Sequence, residues 1–167
     1  MRSFIYDKYK IICVGKVKEK SLNDLIQEYS KRLSKYCKLE IIELEDEKIP
    51  STPSLATEEI IREKESNKII DRLNKIGKAY TILLDVQGKS YTSEEFSQKI
   101  VDISTYENST INFVIGGSLG FSSTLKNMIN DKISFSKMTF PHQLMRVIFL
   151  EQIYRSFKIM KNEPYHK

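Results

Sequence analysis

The sequence predicts an α/β fold, in which a parallel sheet carries helices on both faces. Strand-like and helix-like segments alternate along the whole chain, and this alternation is typical of parallel sheets. The predicted strands are short apolar runs, whereas the longer segments carry apolar residues at helical spacing. The chain has 167 residues without an internal repeat or a low-complexity tract. We therefore predict a single domain over residues 1–167.

Five short apolar runs predict the strands of this sheet. They are residues 10–14, 39–44, 79–84, 110–115 and 133–135. The first run ends at Gly15, and the fourth continues into Gly116-Gly117-Ser118-Leu119-Gly120. A glycine directly after an apolar run indicates the turn at which a strand stops.

Five helical segments alternate with these strands. They are residues 21–37, residues 57–76, a helix starting at Thr92, a short helix from Ser122 or Ser123, and residues 141–161. Ser21 with Asp24 is the expected cap of the first helix, and Thr92 with Glu95 forms a capping box for the third. Gly77 is expected to end the second, because glycine commonly follows the last turn of a helix.

The net charge of +5 is unevenly distributed along the chain. Residues 1–20 and residues 137–167 each have a net charge of +4, whereas the residues between them have a net charge of −3. If the two basic ends meet in the fold, they suit a polyanion such as nucleic acid. The alternative is that these lysines are only solvated surface charges.

Composition also excludes several classes of protein. No apolar run is long enough to span a bilayer, and the charged N-terminus lacks the apolar core of an export signal. Cys13 and Cys37 have neither zinc-site nor redox-motif spacing and are expected to be buried thiols. These features predict a cytoplasmic protein without a membrane partner and without a metal.

The ends of three predicted strands are the candidates for a ligand site, because ligands bind beyond the carboxyl ends of strands in α/β sheets. Residues 85–89, 116–120 and 136–141 follow these ends. The glycines of the second segment allow a ligand to approach the backbone. This segment has neither the GxGxxG pattern nor the GKS or GKT ending of a phosphate loop, and it suits a tight turn equally well.

The last predicted helix is apolar on nearly every side in its first half, at Leu144, Met145, Val147, Ile148, Phe149 and Leu150. Such a helix is buried all round, either by a second protomer or by the core of its own chain. Arg146 lies within this stretch and requires a partner, since an unpaired buried arginine is costly. That partner is either a bound anion or a structural ion pair, for example with Glu151.

The chain ends in a tail, residues 162–167, that places a phenol, an imidazole and an ammonium group together. The ring of Tyr165 suits stacking on an unpaired base, and Lys167 suits contact with a phosphate. The alternative is an ordinary frayed terminus. His142, at the start of the last helix, is expected to have a capping or structural role.

Five sequence motifs occur in the order found in one known family. They are CVGKVKEK at 13–20, LDVQGK at 84–89, IGGSLG at 115–120, SFSKMTFPHQLMRV at 134–147 and PYHK at 164–167. Together they resemble the RlmH family, bacterial 23S ribosomal RNA pseudouridine N3-methyltransferases of the SPOUT class. The resemblance covers nearly all residues from Lys10 onward and leaves residues 1–9 as an N-terminal extension. Lys167 stands where some relatives have arginine, which weakens a bidentate phosphate contact.

The resemblance implies a SPOUT fold, in which the C-terminal segment threads a loop to form a trefoil knot, and it implies a homodimer. The methyl donor S-adenosyl-L-methionine (SAM) would lie in the knot, held mainly by backbone. By position, its contacts are Leu84, Gly116, Phe135, Ser136, Lys137, Met138, Thr139 and Phe140. The implied substrate is a pseudouridine of 23S rRNA, methylated at N3 within assembled ribosomes. No metal is implied.

Methylation at N3 of a uracil-type ring requires that the N3 proton is lost and that N3 is aligned with the methyl group. The candidates are Arg146 as an anchor for the base or a phosphate, and Tyr165 and His166 as contacts to the base. His166 is a candidate proton acceptor, because imidazole titrates near neutral pH. The alternative is that positioning suffices and the proton is lost to water. We expect no separate RNA-binding domain, so that the ribosome surface and the partner protomer complete the site.

Two other functions are compatible with parts of the sequence. One is a small nucleotide-binding protein that uses the glycine segment for phosphate, which predicts affinity for ATP or NAD instead of SAM. The other is a non-enzymatic ribosome-associated factor, which predicts salt-sensitive ribosome binding without dependence on SAM. Binding of SAM followed by methyl transfer to ribosomes distinguishes all three.

Overall fold

The computed structural model describes residues 7–167, and these contain a five-stranded sheet in which all paired strands are parallel. The strand order is β2-β1-β4-β3-β5. The strands are β1 Lys8–Val14, β2 Lys38–Leu44, β3 Tyr80–Ser90, β4 Thr110–Ile115 and β5 Lys132–Ser134. The five predicted strands and their parallel arrangement are therefore confirmed.

Each of these strands is followed in the chain by one α-helix. These helices are α1 Lys20–Leu33, α2 Leu55–Ile76, α3 Ser93–Asp102, α4 Ser123–Met128 and α5 His142–Met160. Helix α3 continues into a π-helical turn, Ile103–Glu107. All five predicted helices are confirmed, although α1 ends at Leu33 instead of the predicted residue 37.

The helices cover both faces of the sheet because successive strand residues point to opposite sides. In β1, Ile11 belongs to the core formed with α1, α3 and α5, whereas Ile12 belongs to the core formed with α2 and α4. Strand β4 repeats the alternation, with Phe113 on the first side and Val114 on the second. All four side chains are completely buried. The prediction of helices on both faces is thus confirmed.

The helix boundaries follow most of the predicted signals. The capping box of α3 and the glycine that ends α2 are confirmed. The expected cap of α1 by Ser21 and Asp24 is wrong, because the helix begins earlier and Glu19 occupies the N-cap position without a capping side chain. Asp24 instead pairs with Lys20, at 2.7 Å between Oδ2 and Nζ. These two side chains are one helical turn apart on α1.

Strand β3 is longer than predicted. It continues to Ser90 past a register shift between Leu84 and Lys89, and it pairs with β5 on both sides of the shift. Gly88 makes this close approach possible, since a Cβ there would lie 2.6 Å from the carbonyl carbon and oxygen of Lys132. Periodicity did not reveal the extension, because residues 85–90 lack the apolar alternation of a half-buried strand.

Replacing Gly88 with alanine is expected to lower the free energy of unfolding by about 2 kcal/mol, because the added methyl group must displace the β5 backbone. Gln87→Ala is the matched control, since Gln87 is the exposed preceding residue. Urea denaturation of both variants measures the difference. Equal stability of the two variants would contradict the close approach of β3 to β5.

Strand β1 begins at Lys8, earlier than the predicted start at residue 10. Tyr9 is completely buried and stacks on Phe157, with 5.7 Å between the ring centroids. The predicted N-terminal extension, residues 1–9, therefore overlaps the sheet at its last two residues, and residues 1–6 lie outside the described part of the chain. The trefoil knot stays a prediction.

The cysteines behave as the composition predicted. Cys13 and Cys37 are buried free thiols. Burial raises the pKa of each thiol to about 12, so neither is a reactive thiolate near neutral pH.

No helix within residues 7–167 combines the length and the apolar character that a membrane crossing requires. Within the same residues, no three His, Cys, Asp or Glu side chains are grouped closely enough to hold a metal ion.

Candidate functional site

A cavity of ≈ 900 Å³ lies at the carboxyl edge of the sheet, where β4 and β5 end and where β3 passes its register shift after Leu84. The structure therefore brings together the three strand ends that the sequence suggested. Seven of the eight predicted cofactor contacts line the cavity, namely Leu84, Gly116, Phe135, Ser136, Met138, Thr139 and Phe140. The eighth, Lys137, is exposed and is not part of the cavity wall.

The glycine loop, residues 116–120, is a tight turn that also lines the cavity. Gly120 donates its N–H to the carbonyl of Gly117 at 3.1 Å and adopts a φ of 77°, which favours glycine. A Cβ on Gly116 would lie 2.9 Å from a ring carbon of Phe121, so this glycine lets the loop close over the ring. This geometry therefore suits both a tight turn and a loop that binds a ligand.

The segment 135–140, which contributes most of its residues to the cavity wall, is held in shape by serine side chains. Ser134 Oγ donates to the carbonyl of Ser136 at 3.0 Å, and Ser136 Oγ accepts from the N–H of Met138 at 2.9 Å. Met138 is 74% exposed and Phe140 is 38% exposed. These apolar side chains offer a surface for a ring system or for a second protein chain.

Several polar side chains of the cavity wall, among them Asp85, Lys126 and His142, were not among the predicted contacts. The Oδ1 of Asp85 accepts from the N–H of Gln87 at 3.0 Å, and its Oδ2 lies 3.3 Å from the Nζ of Lys126. Burial and the nearby Arg146 lower the pKa of His142, which keeps its imidazole neutral near pH 7. For Asp85, the sequence signal was an acid directly after a buried strand.

Arg146, predicted to anchor a base or a phosphate, is a buried side chain in an ion pair with the exposed Glu43, and it does not lie in the cavity wall. It is 1% exposed. Its Nη1 donates to Oε2 of Glu43 at 2.7 Å, and its Nη2 donates to the carbonyl of Gly15 at 2.9 Å. The suggested partner Glu151 is wrong, since Glu151 binds Arg155 at 2.6 Å. The guanidinium thus joins α5 to the turn after β1.

The described part of the first basic end, residues 7–20, meets the second basic end, residues 137–167, in the fold. Besides the contact of Arg146 with Gly15, the backbone N–H of Lys18 donates to Oε1 of Gln143 at 3.3 Å. Lys16 and Lys18 are exposed and follow the carboxyl end of β1, the edge at which the cavity lies. Because these two basic segments lie together, the charge distribution suits the binding of a polyanion.

The tail is packed against α5 and is not a frayed terminus. The Tyr165 hydroxyl donates to Oε1 of Glu151 at 3.0 Å, and its ring meets Tyr154 edge-on with 5.0 Å between centroids. The guanidinium of Arg155 lies 4.9 Å from the centre of the Tyr165 ring. Burial and the hydrogen bond to Glu151 raise the pKa of Tyr165 to about 12, so its phenol stays protonated near neutral pH.

Both ring nitrogens of His166 are engaged within the chain. Nδ1 lies 3.1 Å from Nη1 of Arg155, and Nε2 lies 2.6 Å from Oε1 of Glu94. Because a guanidinium only donates, Nδ1 must accept, and Nε2 must carry the proton that is donated to Glu94. The nitrogen that would take up a proton is therefore occupied by Arg155 in this arrangement.

Glu94, Glu151 and Arg155 hold the tail, and no sequence motif predicted this role for them. Glu151 and Arg155 are one helical turn apart and therefore lie on the same face of α5, and this spacing could have predicted their ion pair. Glu94 carried no such signal, since it is 72 residues from His166. None of the tail residues lines the cavity, so the structure gathers the predicted cofactor contacts and the predicted catalytic residues in separate places.

Comparison with known proteins identifies the family. The sequence profile of the family described as "Predicted SPOUT methyltransferase" matches residues 8–166. A protein of Clostridium botulinum named Ribosomal RNA large subunit methyltransferase H is 59% identical over 157 residues, which cover 94% of this chain and 98% of that protein. A protein of the same name from Clostridium acetobutylicum is 54% identical over the same shares of both chains. As the motifs predicted, the chain belongs to the SPOUT methyltransferase family.

Proposed function

We propose that the chain is a SAM-dependent methyltransferase that modifies large-subunit ribosomal RNA in the cytoplasm. The observation that carries the proposal is the cavity beside Leu84 of β3 and the ends of β4 and β5, whose walls include glycine backbone and apolar side chains. The family of the chain and the name of its relatives in two Clostridium species support the same activity.

SAM suits this cavity in size and in chemistry. The volume of ≈ 900 Å³ lies within the range of about 300–1,000 Å³ that is typical of small-molecule sites. Phe135 and Met138 can pack against an adenine ring, the glycine loop offers backbone groups, and the carboxylate of Asp85 suits a cationic ligand. We assign Leu84, Gly116 and residues 135–140 to SAM binding. Bound SAM supplies an electrophilic methyl group, whereas the chain supplies shape and polar contacts.

The finer proposal is methylation at N3 of a pseudouridine of 23S rRNA within assembled ribosomes. Because its phenol stays protonated, Tyr165 would act as a hydrogen-bond donor or a stacking ring and not as a base. His166 is the candidate proton acceptor, and it can accept only after Nδ1 leaves Arg155. Loss of the proton to water is the alternative. Arg146 can anchor RNA only if it leaves Glu43, so its anchoring role stays a prediction.

We further propose a homodimer in which the tail of one protomer completes the cavity of the other. The tail does not line the cavity of its own chain. Met138, Phe140 and Leu144 expose an apolar surface at the cavity and at the start of α5, which a second copy can cover. The other sides of α5 pack against α1 and α3 of the same chain. The knotted C-terminal segment is part of the same proposal, and no metal is proposed.

Binding of SAM and transfer of its labelled methyl group to ribosomes test the proposal. We expect the purified protein to bind SAM in preference to ATP or NAD, and to label ribosomes from a strain that lacks the homologous enzyme. Ribosomes with uridine in place of the target pseudouridine are the control for the base. Labelling of another RNA while ribosomes stay unlabelled would contradict the substrate. Salt-sensitive ribosome binding without any SAM binding would instead favour a non-enzymatic factor.

A further inference from the structure

Helix α2 has a polar face directed at the glycine loop. Arg62, Glu65 and Ser66 have the i, i+3, i+4 spacing that places side chains on one side of a helix. Glu65 and Ser66 are 3% and 0% exposed, although most charged residues of α2 are at least partly exposed. We propose that this polar face positions the glycine loop and thereby sets the affinity for the methyl donor. The inference rests on the proposed function, since it takes the loop as part of the SAM site.

Arg62 holds the glycine loop at Leu119. Its Nε donates to the carbonyl of Leu119 at 2.9 Å, and its Nη1 pairs with Glu59 on the preceding turn of α2. The ion pair restrains the guanidinium, and a hydrogen bond from a charged donor is stronger than one between neutral groups. Arg62, Glu59 and Leu119 all line the cavity. The loop is thus held at the point where its backbone faces the proposed ligand.

Ser66 holds the end of the loop that leads into α4. The N–H of Ser122 donates to Oγ of Ser66 at 2.8 Å. The Oγ of Ser122 in turn accepts from the N–H of Leu125 at 3.2 Å and so caps α4. Both serines are completely buried. Helix α2 therefore fixes the residue at which the loop becomes a helix.

Glu65 lies beneath the middle of the loop. Its Oε2 accepts from the N–H of Glu47 at 3.0 Å, and its Oε1 lies 2.9 Å from the position that a Cβ on Gly117 would take. This Oε1 has no hydrogen-bond partner among residues 7–167, and burial raises the pKa of the carboxyl. A half-satisfied buried carboxyl costs stability that an apolar side chain would not. Proteins tolerate such a loss of stability mainly at functional sites, where the buried group helps to maintain the geometry of the site.

Comparison of Arg62→Ala with Arg72→Ala tests the inference. Arg72 is the matched control, because it lies on the same helix but not in the cavity wall. We expect Arg62→Ala to raise the dissociation constant of SAM about tenfold, the effect of losing one hydrogen bond from a charged group. The KM for SAM should rise with it, whereas kcat and the unfolding midpoint should stay close to those of Arg72→Ala. Arg62→Lys should recover part of the affinity, since an ammonium can still donate to Leu119.

The outcomes separate this inference from the proposed function. A wild-type protein that does not bind SAM in calorimetry would overturn the function itself. Normal wild-type binding with unchanged affinity in Arg62→Ala would overturn only the positioning role. The positioning role would also be overturned if kcat, the affinity for SAM and the unfolding midpoint all fell together in both Arg62→Ala and Arg62→Lys. Such a joint loss is what the replacement of a merely structural residue produces.

Discussion

Deletion of residues 165–167 is expected to abolish methyl transfer while SAM still binds. None of these residues lines the cavity, so the proposed cofactor contacts stay intact. The deletion removes the phenol and the imidazole that would contact the base, and loss of such positioning costs about 100-fold or more in rate. Methyl transfer to ribosomes measures the first effect, and calorimetry with SAM measures the second.

Removal of Lys167 alone is the matched control for this deletion. Lys167 is exposed, and its loss leaves the contacts of Tyr165 with Glu151 and of His166 with Glu94 in place. We expect this variant to keep kcat near the wild-type value and to bind ribosomes slightly less well, since one phosphate contact is lost. Loss of SAM binding in the longer deletion would instead mean that the tail is structural.

Tyr165→Phe separates the ring of the tail from its hydroxyl. The variant keeps the packing against Tyr154 and Arg155 but loses the hydrogen bond to Glu151. A fall in kcat without a fall in SAM affinity would assign the role to the hydroxyl. Wild-type kcat in this variant, together with an inactive deletion, would assign the role to the ring or to His166.

Arg146→Ala is expected to lower the free energy of unfolding by about 3 kcal/mol. Breaking a buried ion pair costs about 3–5 kcal/mol, and the partial exposure of Glu43 places the effect at the lower end. The carbonyl of Gly15 also loses its bond from the guanidinium, which loosens the turn after β1. Urea denaturation at constant pH measures the change.

Arg32→Ala is the control for the Arg146 variant, because Arg32 forms an ion pair with Glu28 at the surface of α1. Its removal should change stability much less, since exposed pairs contribute little. An Arg146→Ala protein that is as stable as the wild type but no longer transfers methyl groups would contradict the structural role. That result would support Arg146 as an RNA anchor.

Much of the fold was predictable because the signals that specify helices and strands are local. Within residues 7–167, short apolar runs located the five strands, and apolar spacing or capping signals located the five α-helices. Glycines marked where β4 stops and α2 ends. Seven of the eight predicted SAM contacts line one cavity, because parallel strands end at a common edge of the sheet. The extension of β3 was missed, since the polar residues after Leu84 pair with β5 only through a glycine that allows close contact.

The order of the elements, their packing on both faces of the sheet and the edge at which the cavity forms could be predicted from the sequence alone. Each of these depends on neighbours a few positions apart. Which distant charges pair becomes visible only in the folded chain: Arg146 pairs with Glu43 across 103 positions, and His166 pairs with Glu94 across 72 positions. Ion pairing depends on distance in space, which sequence separation does not reveal. For the same reason, only the folded chain shows that the tail lies apart from the cavity it was expected to serve.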